Sequence, residues 1–216
     1  MIWLLGSMLA WAGPNDDARA VVHSDAGWTD LGSVSRGGVE AISLRQQSSN
    51  GVDCLEASTV TTLPVETMKA IVLDIRSNPQ WSSADLVSSD VLSESNGRID
   101  YVQVLGMPRP FSPRYWFLRG QVSTGSTWTF AWERLDGGQH YPDALAAIQQ
   151  NHTDAVEVTV NVGSWAFQSV SGGTLMRFRS CTNAGGAVPR WAGERAAQAM
   201  LPNNIVDLVN ATKQRM

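Results

Sequence analysis

The chain has 216 residues and a formal net charge of −4, with 43% hydrophobic and 17% charged residues. That length suits one domain or at most two small ones, and the apolar fraction is enough for a sizeable core, so disorder is excluded as the main state. An acidic balance with no basic run also excludes a phosphate-tracking surface, and no nucleic-acid partner is expected. From the amino terminus, residues 1–12 form an uncharged apolar run, too short to span a bilayer, which needs about 20 residues. Ala10-Trp11-Ala12 has the small-x-small form of a cleavage site, so 1–12 read as an export signal. The competing reading is a buried amino-terminal helix, because no Lys or Arg precedes the run. Export would place residues 13–216 in the periplasm or outside the cell; otherwise the chain is cytoplasmic.

Residues 17–30 read as a short helix or turn ending near Trp28. Gly32–Ser35, Val39–Gln46 and Val52–Thr62 are three strands, punctuated by Gly37-Gly38 and Ser48-Ser49-Asn50-Gly51. The period then changes: Val65, Met68, Ile71, Val72 and Ile75 recur at helical spacing, with Pro64 at the start and Asn78-Pro79 as the stop. Trp81–Leu86 reads as a short second helix or turn. Val87–Glu94, Arg98–Leu105, Arg114–Ser123, Thr127–Leu135, Ala155–Val170 and Leu175–Asn183 are six further strands. Asp136–Thr153 is an insertion with a helical turn at Ala144–Gln149. Pro189–Arg215 is one long amphipathic helix with Pro202 inside it, a place for a kink. No domain boundary or repeat is visible, and nothing alternates as βαβ. Many antiparallel strands before one closing helix imply an α+β fold, a curved sheet wrapped around that helix.

Alternation assigns the sheet faces. Trp128, Phe130 and Trp132 share one face, taken as inward, and Val156, Val158, Val160 and Val162 are read inward against Glu157, Thr159 and Asn161. A bulge at Gly163 would then turn Trp165 and Phe167 inward. Met176, Phe178 and Ser180 face in, leaving Arg177, Arg179 and Cys181 out; Leu55, Ala57 and Thr59 face in, leaving Cys54 and Glu56 out. If these two strands pair with 54 opposite 181, Glu56 and Arg179 become neighbours, and export would make Cys54–Cys181 a disulfide. Nine Trp against five Phe and three Tyr point to a large aromatic interior, a ligand cavity, or both. No CxxC or HExxH occurs and the three His are scattered, so neither a metal nor a cofactor is expected.

Several strings resemble the START (steroidogenic-acute-regulatory-related lipid transfer) domain: Leu73-Asp74-Ile75, Asn78-Pro79, Trp81, Val91-Leu92, Tyr101-Val102, Pro108-Arg109-Pro110 and Ser112-Pro113-Arg114 through Arg119. Gly163-Ser164-Trp165 and Asn183 through Trp191, with its Gly185-Gly186 and Pro189, continue the match over roughly residues 25–214. The resemblance implies a single lipid-binding domain over 13–216 with a helix-grip fold: a strongly curved antiparallel sheet around the carboxy-terminal helix, a helical pair after the third strand, and an apolar tunnel gated by Met107–Pro113 and Pro189–Met216. Tyr115 stands where relatives carry an acid after the strand-opening arginine. Sterol-binding members carry a buried acid–arginine pair; Arg119 is a candidate for the base and Asp100 or Gln103 for its partner, with facing left open by alternation.

The expected partner is a hydrophobic small molecule or lipid, bound without catalysis. Trp116, Leu118, Phe130, Trp132, Val160, Phe167, Met200 and Ile205 would line its site, with Arg119 and Gln103 as polar contacts. Transient membrane contact is a further expectation, and the oligomeric state is left open. The alternative is a helix-grip enzyme, cyclase- or hydrolase-like, acting on a hydrophobic substrate, with Asp100 and Tyr101 as its reserve of acid–base groups. A third reading is an interaction module whose groove takes a partner segment.

Overall fold

The computed structural model describes residues 13–216; the apolar run 1–12, read above as an export signal, lies outside the described residues. Its frame is one open sheet of ten strands. The first meander is β1 (Thr29–Arg36), β2 (Val39–Ser49) and β3 (Val52–Thr61). A second runs through β4 (Leu86–Ser95), β5 (Arg98–Leu105), β6 (Arg114–Ser123) and β7 (Thr127–Arg134). The two-residue β8 (Val156–Glu157), β9 (Asn161–Val170) and β10 (Gly173–Thr182) complete the set. The order across the sheet is β1-β2-β3-β10-β9-β7-β6-β5-β4, with β8 laid parallel on β6. Every pairing along this path is antiparallel. Asn50-Gly51 and Asn96-Gly97 hold positive φ at both positions, the backbone that two-residue hairpins need and that Asn and Gly tolerate.

Among the described residues six α-helices surround the sheet. α1 is Pro14–Val22, α2 Val65–Leu73, α3 Asn78–Trp81, α4 Gly137–His140, α5 Pro142–Asn151 and α6 Arg190–Gln214. α2 stops earlier than its apolar period suggests. Asp74 leaves helical geometry, a 3-10 turn follows at Ile75–Ser77, and Pro79 sits in the first turn of α3, where its missing N–H costs nothing. The helix expected over Trp81–Leu86 therefore lies at Asn78–Trp81, and β4 begins at Leu86.

The sheet is covered on both faces. α2 and the second half of α6 fill the concave face, where Met68, Ile71, Leu201, Ile205, Leu208 and Val209 meet Ile42, Ala57, Phe130, Trp165, Phe167 and Met176. On the outer face α1 covers one patch, packing Ala18, Val21 and Val22 over Val52, Val160, Val162 and the two cysteines. α4 and α5 cover another, over Val102, Val104, Tyr115 and Phe117. Cys54 stands opposite Cys181 in the β3–β10 register, and their sulfurs are joined in a disulfide with no exposure to solvent.

Two expectations about the ninth strand are corrected. There is no bulge at Gly163: the β9–β10 register runs unbroken from Asn161 to Val170. With that phase Asn161, Gly163, Trp165 and Phe167 face inward, while Val160 and Val162 lie under α1 on the outer face. The apolar run was real, but a helix on the outside, not the concavity, buries it.

Candidate functional site

Registers across adjacent strands resolve the concave face into rows. The innermost joins Ile42, Thr59, Met176, Phe167 and Trp128. Trp128 stacks on Phe167 with ring centroids 5.2 Å apart. The next row is Leu44, Ala57, Phe178, Trp165, Phe130 and Val122. The third is Gln46, Leu55, Ser180, Gly163, Trp132, Gly120 and Ile99. Beyond it come Asn161 and Leu118, then Trp116, Gln103 and Ser89, and finally Arg114 beside Leu105. The face thus passes from an apolar innermost row, with Thr59 its one hydroxyl, to increasingly polar rows toward the amino-terminal half of α6.

That polar end is wired by hydrogen bonds. Trp116 Nε1 donates to Gln103 Oε1 at 2.9 Å, Gln103 Nε2 donates to Ser89 Oγ at 2.9 Å, and Ser89 Oγ donates to the Ile75 carbonyl at 2.7 Å. Trp132 Nε1 donates to Asn161 Oδ1 at 3.1 Å. Both indoles therefore bring an apolar face with a satisfied polar edge. Gln198 of α6 donates to Gln46 at 2.8 Å above the same rows.

Arg114 ties the mouth together. It is 2% exposed, and its guanidinium donates to the carbonyls of Ser112, Ala184 and Gly185. One side chain so joins the Pro-rich segment before β6 to the loop that leads into α6. Its contacts are carbonyls, with Tyr115 in the place of an acid, and burial pushes its pKa below the usual arginine range.

α6 is divided along its length. From Leu201 to Thr212 most residues are buried, whereas Trp191 is 69% and Met200 42% exposed. Trp116, Trp132 and Phe178 of the inward rows are only partly buried, as is Ala197 of this loosely held half. Pro202 marks the division. It lacks an N–H, and beside it Arg36 of β1 donates to the Ala199 carbonyl and to Asn203 Oδ1, both at 2.8 Å.

The expected site residues separate accordingly. Trp116, Leu118, Phe130, Trp132, Phe167, Ile205 and Gln103 come together on the concave side. Val160 does not, for the reason given above. Met200 points to solvent, and Leu201, 3% exposed, takes its place in the core. Arg119 is corrected too. It lies on the outer face and grips Asp100 bidentately at 2.9 and 2.8 Å, while Tyr141 donates to the same carboxylate at 2.9 Å. Burial pushes the Asp100 pKa up, but the hydrogen bonds from Arg119 and Tyr141 outweigh it and leave the carboxyl below its usual range. Ser180 faces inward as alternation has it, whereas Asn161, read outward, faces inward, and Arg114 is an inward polar group that the alternation reading did not single out.

Two surface depressions flank these rows, the first reaching the third row at Gln46. One, of about 520 Å³, follows the start of β1 and the end of β2, and the other, of about 190 Å³, opens on the outer face beside α1.

No family model matches the chain, and no curated protein sequence matches it. Solved structures do. Human STARD10 superposes with a TM-score of 0.72 at 15% identity, over 94% of this chain and 80% of that one. The STAR-related lipid transfer protein of Xanthomonas axonopodis (fragment 25–204) gives 0.71 at 14%, over 87% and 99%. The Zhui aromatase/cyclase of Streptomyces sp. R1128 gives 0.50 at 13%, over 76% and 93%. At these identities the likeness is one of fold: the chain has the helix-grip fold of START domains.

Proposed function

We propose that this chain binds a hydrophobic small molecule or lipid between the concave face of its sheet and the amino-terminal half of α6, without catalysing a reaction on it. The observation that carries the reading is that Trp116, Trp132 and Phe178 stay only partly buried on the concave face, while the amino-terminal half of α6 is largely exposed. An apolar ligand burying about 300 Å² there would gain roughly 7 kcal/mol before the costs of association. Moving the amino-terminal half of α6 gives a route in and out, and the exposed Trp191 and Met200 would meet a membrane surface during exchange.

The test is direct. Delipidated protein is offered labelled fatty acid, phosphatidylcholine and sterol in vesicles, and retained ligand is read by native mass spectrometry. Binding of at least one class is expected, with Trp132→Ala weakening it about tenfold. Protein that neither retains nor moves any of the three overturns the reading.

Outside the cytoplasm is the proposed location, because the buried Cys54–Cys181 bond suits an oxidising compartment and residues 1–12 suit an export signal. A mature chain beginning at Gly13 is expected; an intact Met1 on soluble cytoplasmic protein would count against it.

A second reading, an enzyme, is favoured by the fold shared with an aromatase/cyclase. Of its two acid–base candidates only Tyr101 faces inward, and burial pushes its phenol pKa far up, making it a neutral hydrogen-bond group. Turnover abolished by Tyr101→Phe would establish this reading in place of the first.

A further inference from the structure

The outer face carries a network that the ligand site does not use. Glu56 is 1% exposed. It is gripped bidentately by Arg45 at 2.8 and 2.8 Å and receives Arg179 Nε at 2.7 Å. Trp28 lies between these two arginines, its ring 5.8 Å from the Arg45 guanidinium and 5.0 Å from that of Arg179. Arg179 also donates to the Val22 carbonyl at 2.7 Å and to Asp25. This hydrogen bond from Arg179 holds the Asp25 carboxyl below its usual range.

Arg177 is different. It stands two residues before Arg179 on the same face of β10, and its one hydrogen bond among the described residues runs from a terminal nitrogen to Asp25 at 3.1 Å. Its Nε lies 3.6 Å from Glu56 and is buried with no hydrogen-bond partner among the described residues. A guanidinium has five N–H donors, so most of this one is unspent. Three guanidinium groups against two carboxylates also leave one positive charge uncompensated.

Arg177 lines a concavity. The floor beside Arg177 is made of small residues, because Ala166 is its register partner on β9 and Thr129 is that of Ala166 on β7. Ser164 and Thr127 extend this floor, and His23 with Asp25 forms the wall at the end of α1. The resulting cavity measures about 190 Å³. Thr127, Thr129 and Ser164 line it and bring three hydroxyls to its wall.

We propose that this outer-face cavity binds an oxyanion group, a phosphate monoester or a carboxylate of a small molecule, held by Arg177 with the hydroxyls of Thr127, Thr129 and Ser164. The fixed Arg179–Glu56–Arg45 lattice positions Arg177 and supplies the charge excess; the anion completes the hydrogen bonding that the protein leaves open. The site is on the opposite side of the sheet from the hydrophobic ligand, so the two tests are independent.

Calorimetric titration of the oxidised full chain at low ionic strength tests it, with sodium phosphate in one arm and sodium acetate in the other. One saturable site in the millimolar range or tighter is expected in at least one arm, which also says whether the group is phosphate or carboxylate. Arg177→Gln should weaken binding about tenfold or more and Thr129→Val roughly threefold, while Lys213→Gln, the same loss of charge at the far end of α6, leaves it unchanged. Absence of saturable heat in both arms up to about 20 mM overturns the proposal. So does equal weakening by Lys213→Gln and Arg177→Gln, which marks long-range screening, or wild-type binding by Arg177→Gln. Should Arg177→Gln fail to fold, Thr129→Val decides alone, and unchanged binding there overturns the proposal.

Discussion

Gly120 and Gly163 flank Trp132 on the two neighbouring strands, and a Cβ at either position would strike an aromatic ring: Phe130 at 2.3 Å over Gly120, Trp132 at 2.3 Å over Gly163. At Gly163 the Arg179 carbonyl also lies 2.5 Å away, so moving the ring alone gives no relief. Gly163→Ala is therefore expected to destabilise by about 1–3 kcal/mol, measured as a lower urea midpoint, and Gly120→Ala by less. Asp207 offers a pH test. Burial raises its carboxyl pKa, although its Oδ2 accepts the Ser83 N–H at 2.7 Å. A raised folded-state value means that ionised Asp207 costs stability above that value and nothing below the unfolded one, near 4. Asp207→Asn should then raise Tm by about 1–2 °C at pH 7, with the gain fading as pH falls toward 4. At this scale the inward Trp128, Phe130 and Trp132 were legible, because Thr129 and Ala131 between them are small or polar. Arg119 was not. Tyr115 and Phe117 face out under α5 while Trp116 and Leu118 face in, so β6 reads as one apolar run with no phase.

Among the elements, α6 shows how one sequence serves two purposes. Its carboxy-terminal half is a core helix, and its amino-terminal half is a cover held at a few points: Arg36 on the carbonyl of Ala199, Gln198 on Gln46, and Arg190 near Asp53 at 3.5 Å. Removing Arg36 should loosen only the first part. Arg36→Ala is expected to speed amide exchange over residues 190–200 several-fold and to leave 205–212 unchanged; equal acceleration in both halves would refute the division. The helix, Pro202 and most strand limits were readable from periodicity and turn residues. The α4–α5 pair was reduced to one helical turn because Pro142 and the short glycine-bearing α4 interrupt the period, and the outer-face role of α1 was hidden because its buried Ala18, Val21 and Val22 are so few.

For the molecule as a whole, the β3–β10 pairing joins the first meander to the rest of the sheet, and the disulfide across it closes a sequence separation of 127 residues. Replacing both cysteines by serine is expected to cost about 2–5 kcal/mol, read as a fall in Tm that reducing agent reproduces in the parent chain. The alternation of two distant strands was enough to place Cys54 and Cys181 on one face, since both strands carry charge on that side. The same pairing has a consequence in time. A chain made from its amino terminus at about 5–20 residues per second leaves β3 without its neighbour for roughly 6–25 s after it emerges. Throughout that interval the edge that carries Cys54, Leu55 and Ala57 is open to other chains, so high-level synthesis should favour aggregates seeded by the first meander until β10 arrives to close it.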